Sequence, residues 1–107
     1  MEAACRGAKE EGGKTIGILP GEKREEGNAY LDYIIVTGLG QARNALVVLN
    51  ADVVIAINGK YGTLSEIAMA LKYGKKVYGL NSWDVGIKNF DNIDALFKEI
   101  KNLKRSR

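Results

Sequence analysis

The sequence predicts an α/β fold, a three-layer Rossmann-like parallel sheet with helices on its faces. Three observations lead there. Strand-like and helix-like stretches alternate along the chain, the pattern of parallel strands joined by right-handed crossovers. Asp52-Val53-Val54-Ile55-Ala56-Ile57 is apolar almost without interruption, as suits a strand covered on both faces. Glycine-bearing turns follow three of the strand-like runs, where parallel sheets place their ligand loops. With 107 residues, 46% of them hydrophobic and 27% charged, the chain has the length and composition of one small folded domain, taken as residues 1–107.

The elements follow in order. Glu2 to Glu11 carries Ala3, Ala4 and Ala8 among charged residues and predicts a helix, stopped by Gly12 and Gly13. Thr15-Ile16-Gly17-Ile18-Leu19, closed by Pro20-Gly21, predicts a buried strand. Glu22 to Ala29 is polar and predicts a surface loop. Tyr33-Ile34-Ile35-Val36-Thr37 predicts a second strand, ended by Gly38-Leu39-Gly40, and Gln41 to Leu49 predicts a helix. After the Asp52–Ile57 strand, Asn58 to Gly62 forms a turn. Thr63 to Tyr73 then predicts a helix with Leu64, Ile67, Ala68 and Leu71 on one face, stopped by Gly74. Lys76 to Leu80 predicts a strand, Asn81 to Asn89 a loop, and Asn92 to Leu103 an amphipathic helix carrying Ile93, Leu96, Phe97 and Ile100. The sum is three to four strands and four helices.

A doubly wound domain begins with a strand and a glycine-rich turn, yet this chain opens directly in a helix. The expectation is a fold truncated at its amino terminus, lacking a first βαβ portion. A short sheet with a bare edge favours pairing with another chain, so a homodimer or higher homo-oligomer is expected.

Composition excludes several classes. The chain holds no His, which removes the commonest general base and metal ligand, and no metal site is expected. The single Cys5 cannot close an internal disulfide, and with no signal peptide evident the expected location is cytoplasmic. No apolar run approaches the roughly 20 residues of a membrane helix. The net charge of +3 gathers partly in Lys98, Lys101, Lys104, Arg105 and Arg107, read as a solvated helix end rather than a nucleic-acid contact.

The chemistry is expected at the glycine loops. In the third, Gly59 and Gly62 permit close backbone approach, Thr63 stands at the cap or first turn of a helix, and Glu66 follows three residues on. Unpaired N–H groups and the positive end of the helix dipole favour a phosphate there, with Lys60 adding charge and Thr63 a hydroxyl, while Tyr61 either packs on its neighbours or stacks on a ligand ring. Thr63 with Glu66 reads equally as a capping box. Arg43, at a helix start where a cation is disfavoured, points to an anionic partner, either a ligand phosphate or Glu66, and reads equally as a surface Arg. Asn44 is placed to bond ligand or loop. With Gly21, Thr37 and Gly38, these form the expected binding set, for a phosphate-bearing small molecule.

Thr37-Gly38-Leu39-Gly40-Gln41-Ala42-Arg43-Asn44, followed by Ala51 through Glu66, resembles the Lonely guy or lysine-decarboxylase-like superfamily, and most nearly its molybdenum cofactor carrier branch. The resemblance runs from Met1 to about Leu80 and implies a Rossmann-like sandwich and oligomers. Against the family motif P-G-G-x-G-T-x-x-E, Gly59, Gly62, Thr63 and Glu66 match. Asn58 replaces the Pro and Lys60 the second Gly, an alteration of the phosphate-contacting turn. In phosphoribohydrolase members an Arg and the final Glu cleave the N-glycosidic bond of nucleoside 5′-monophosphates, which by match implies Arg43 and Glu66. Carrier members bind molybdenum cofactor without converting it. Family members carry a βαβ unit and glycine loop ahead of a Met-Glu-Ala-Ala-like helix, so the resemblance accounts for the opening at Met1.

Three functions remain open. The first is a binding or carrier protein for a nucleotide or molybdopterin-type cofactor, with no fixed prosthetic group. The second is a phosphoribohydrolase of the cytokinin-activating type. The third is an inactive remnant that only oligomerises. A pyridoxal-phosphate lysine decarboxylase is not expected, since no lysine stands in a recognisable setting for it.

Overall fold

The computed structural model describes residues 1–105, with side chains through residue 103. The chain divides into two units, Met1–Val47 and Val48–Arg107.

In the first unit, α1 (Glu2–Glu10) ends where Gly12 turns to a positive φ of 81°. The Gly12 and Gly13 N–H groups then close onto the carbonyls of Lys9 and Ala8 at 3.0 and 2.8 Å, ending the helix where the glycines predict. β1 (Ile16–Leu19) pairs in parallel with β2 (Tyr33–Val36), Ile16 opposite Tyr33 and Leu19 opposite Val36. Asp32 ties the start of both strands to the helix. Its carboxylate accepts from Lys9 Nζ at 2.5 Å and from the Thr15 N–H at 2.8 Å, while its own N–H donates to Thr15 Oγ1 at 2.9 Å. Residues 24–26 of the polar connection make one 3₁₀ turn. A second 3₁₀ turn at 40–42 leads into α2 (Arg43–Leu49).

The second unit is a three-stranded parallel sheet in the order β3 (Val53–Ile57), β4 (Lys76–Leu80), β5 (Lys88–Phe90), with α3 (Tyr61–Lys72) and α4 (Ile93–Arg105). Val48, Ala56, Ile67, Ala70 and Val77 form its buried core, and Val54, Trp83 and Ile87 pack against them. Burying a side chain of the Val or Ile class stabilises by about 1.5–3 kcal/mol, so this cluster is the main force holding α3 to the sheet. α4 contributes the buried Leu96, and Asn92 Oδ1 caps it by accepting from the Asp94 and Ala95 N–H groups at 2.8 and 3.2 Å.

The parallel sheets and the four helices agree with the sequence, and three details differ. Among the described residues there are five strands rather than three to four, because Lys88-Asn89-Phe90 lies inside and just after the stretch expected to be a loop. Three residues, two of them polar, show no periodicity. Only the register against Tyr78, Gly79 and Leu80 reveals the strand. Next, α3 buries Ile67 and Ala70, whereas Ala68 and Leu71 are exposed. This helix is apolar on most of its faces, so periodicity alone does not single out the one that meets the sheet. Finally, α3 begins at Tyr61, two residues before Thr63. Of the basic tail, Lys98 and Lys101 are exposed on α4, whereas the side chains of Lys104 and Arg105, and Arg107 entirely, lie outside the described residues.

Candidate functional site

The first unit gathers Gly21, Thr37, Gly38, Arg43 and Asn44 at the carboxyl ends of β1 and β2. The Gly38 N–H donates to Gly21 O at 2.9 Å and the Gly40 N–H to Pro20 O at 2.9 Å, so the two glycine loops are stitched together. Thr37 Oγ1 donates to Leu19 O at 2.6 Å, which directs its hydroxyl proton into the strand end. Arg43 donates through Nη1 to Ile18 O at 2.7 Å and through Nε to Asn44 Oδ1 at 2.8 Å. Asn44 is buried and donates in turn to Gln41 Oε1 at 3.2 Å. In this conformation the Arg43 guanidinium braces the end of β1. A Cβ on Gly21 would lie 2.5 Å from Glu26 Oε2, and one on Gly38 would lie 3.4 Å from Glu22 Cγ. The exposed side chains of Glu26 and Glu22 thus lie beside these two glycines.

The second unit places its site at the carboxyl ends of β3 and β4. Asn58 and Asn81 directly follow those strands, and both adopt positive φ, 57° and 52°. Asn tolerates that region better than other residues with a Cβ. The sheet continues through them: the Asn58 N–H reaches Leu80 O at 3.0 Å and the Asn81 N–H reaches Phe90 O at 2.9 Å. Both chains therefore turn sharply at the same level of the sheet.

From Asn58 the chain passes Gly59 and Lys60 into α3. Lys60 is the N-cap residue, extended at φ −107° and ψ 179°, and gives the helix no side-chain cap. The N–H groups of Tyr61, Gly62 and Thr63 are those a helix leaves without an acceptor of its own. Thr63 is the third helical residue, so the capping box expected of Thr63 and Glu66 is not formed: Glu66 falls a full turn too late. Glu66 has an interaction partner within the structure.

The Asn81–Asn89 connection, expected as a loop, lies against this site through Trp83. Trp83 Nε1 donates to Lys60 O at 3.2 Å, and a Cβ on Gly59 would lie 2.5 Å from that nitrogen. Gly59 is thus required because the indole lies against the backbone. The exposed Tyr61 ring stacks beside the indole, centroids 6.0 Å apart and planes at 27°. Asn89 holds the same loop from β5, accepting from the Ser82 N–H and donating to Trp83 O, both at 2.9 Å. Gly59, Asn81, Ser82, Trp83 and Asp84 surround a cavity of about 310 Å³. A larger one, about 690 Å³, shares Asn81, Ser82 and Asp84 with it and reaches Asp91. The sequence signal for this loop was an Asn directly after each of two apolar strands, a position that favours a left-handed turn.

Comparison with known proteins places these features in a lineage. The SLOG cluster4 family model matches residues 1–105. An uncharacterised protein of Archaeoglobus fulgidus is 48% identical over 80 residues, 75% of this chain and 52% of that protein. A cytokinin riboside 5′-monophosphate phosphoribohydrolase of Arabidopsis thaliana is 30% identical over 94 residues, 85% of this chain and 40% of that one. The chain thus spans about half the length of the first of these relatives and less of the second. Among solved structures, a molybdenum cofactor binding protein from Rippkaea orientalis is 39% identical with a TM-score of 0.88, covering 96% of this chain and 70% of its own. The molybdenum cofactor carrier protein of Chlamydomonas reinhardtii is 34% identical with a TM-score of 0.83, covering 95% and 69%.

Proposed function

This chain belongs to the SLOG cluster4 family, and on that premise we propose that it binds and carries a phosphate-bearing cofactor of the molybdopterin type. The observation that carries the reading is the start of α3. Three helix-terminal N–H groups stand beside the exposed Lys60, with no side-chain cap in their way. Oriented amides and the dipole attract a phosphate, and a lysine adds a formal charge. The adjoining cavity of about 310 Å³ offers room for the rest of the molecule, so the residues present fit such a group. Lys60, Tyr61, Gly62 and Thr63 would hold its phosphate, with Gly59 letting the backbone approach. The bound cofactor would bring its redox chemistry to whichever enzyme receives it, while the carrier only holds and releases it. Its similarity to two proteins whose names record molybdenum cofactor binding or carriage supports this over catalysis.

The test is thermal stability with and without ligand. A ligand held at 100 times its dissociation constant stabilises by roughly 2.7 kcal/mol, an easily read shift. Protein loaded with molybdenum cofactor should melt higher and should pass the cofactor to a cofactor-free molybdoenzyme. A melting temperature unmoved by the cofactor and by every phosphate ester tried would end the reading.

The 30% match to a phosphoribohydrolase supports a second reading, with Arg43 and Glu66 as the catalytic pair. It requires Arg43 to leave Ile18 O and Asn44. Release of free adenine from AMP, abolished in Glu66→Gln, is its signature.

A further inference from the structure

Side-chain hydrogen bonds tie down the Trp83 loop beside the start of α3. Asn89 fixes it from two sides, and Trp83 is hydrogen-bonded to the carbonyl of the residue that caps α3. Ser82 Oγ is enclosed and has no hydrogen-bond partner among the described residues. A buried hydroxyl left in that state costs free energy unless something bonds it, and Ser82 lines both cavities. Tyr61, 81% exposed, stacks on the indole. Asp84 lines both cavities as well.

We infer that Tyr61, Trp83, Ser82 and Asp84 form a ring subsite for the same ligand, selecting a planar heterocycle with a 2-amino-4-oxo-pyrimidine edge. The inference rests on the phosphate reading of α3, because the subsite adjoins that helix start through Gly59 and Lys60. Its chemistry follows from the groups present. Stacked aromatic side chains offer a face to a flat ring. A carboxylate accepts two hydrogen bonds side by side, which matches the adjacent N–H groups of a 2-amino-4-oxo-pyrimidine, the edge shared by guanine and pterins. Adenine lacks that edge. The Ser82 hydroxyl both donates and accepts, so a polar atom of the ring satisfies it.

Trp83 is the one tryptophan of the chain, so intrinsic fluorescence reports this subsite directly. Titration with GMP, AMP and ribose 5-phosphate separates its parts. GMP should bind at least tenfold more tightly than AMP and should quench the Trp83 emission, whereas ribose 5-phosphate should bind more weakly without quenching. Asp84→Asn should reduce the preference for GMP over AMP to less than threefold while leaving ribose 5-phosphate unchanged. Trp83→Leu, followed by calorimetry, should bring GMP down to the affinity of ribose 5-phosphate. Equal binding of all three without quenching overturns the ring subsite and leaves the phosphate reading standing. Equal quenching by GMP and AMP overturns the role of Asp84. Binding of none of them overturns both the subsite and the phosphate reading.

Discussion

A Cβ built on Gly59 lies 2.5 Å from Trp83 Nε1, so Gly59→Ala must push the indole away and break its hydrogen bond to Lys60 O. Overpacking of this kind costs about 1–3 kcal/mol. The variant should unfold at lower denaturant, with the native tryptophan emission shifted to the red as the ring meets water. Asp32 offers a second test at the same scale. Hydrogen bonding from Lys9 first, and then from the Thr15 N–H, lowers its carboxyl from 3.8 to about 2. A carboxyl whose pKa is depressed by folding stabilises the fold above its unfolded value and loses that contribution as pH falls through the folded one. Thermal melts of the wild type and Asp32→Asn should therefore differ at pH 6 and converge between about pH 4 and pH 2. Residue roles of this sort were only half legible in the sequence. Gly59 announced a close approach but not what approaches. Arg43 at a helix start suggests an anionic partner, and local spacing does not show the bond it makes to Ile18 O at the end of β1.

The β4–β5 connection shows what an element adds. Asn89 bonds both Ser82 and Trp83, and the bare backbone of Gly79 beneath it leaves room for its side chain. Asn89→Ala removes both bonds and leaves the Ser82 N–H without its acceptor. At about 0.5–1.5 kcal/mol per bond, stability should fall by about 1–3 kcal/mol. Exchange of the amide protons of residues 82 and 83 should quicken more than those of β3. Ile67, 1% exposed in the core under α3, is the contrasting case: Ile67→Ala should cost about 2–5 kcal/mol in chemical denaturation. Most elements were readable, because long apolar runs and terminal glycines carry strong local signals. The start of α3 was misplaced because Gly62 looked like part of the turn. In a first helical turn, however, the N–H groups make no helical bond, and glycine is tolerated there. β5 was missed because its stability comes from β4, not from its own three residues.

For the molecule as a whole, the open question is what meets the β1–β2 sheet. Side chains alternate across a strand, so the register Ile16 to Tyr33 and Ile18 to Ile35 sets these four residues on one face. Ile16, Tyr33 and Ile35 there are 61, 57 and 49% exposed. Exposed apolar patches of this kind mark association surfaces, and a sheet of two strands has an unpaired edge on each. A net charge of +3 opposes the approach of another copy only weakly once salt screens it. These features predict self-association, with a second copy covering this face. Sedimentation velocity at rising protein concentration should show a dimer or larger species. Tyr33→Lys combined with Ile35→Lys should return it to monomer with the far-ultraviolet circular dichroism unchanged, since both side chains already face solvent. A wild type that sediments as a monomer throughout would remove this face from consideration. Because Tyr61, Trp83 and the start of α3 all belong to the other unit, the monomeric variant should still quench its tryptophan with GMP. That would separate assembly from ligand binding in one experiment.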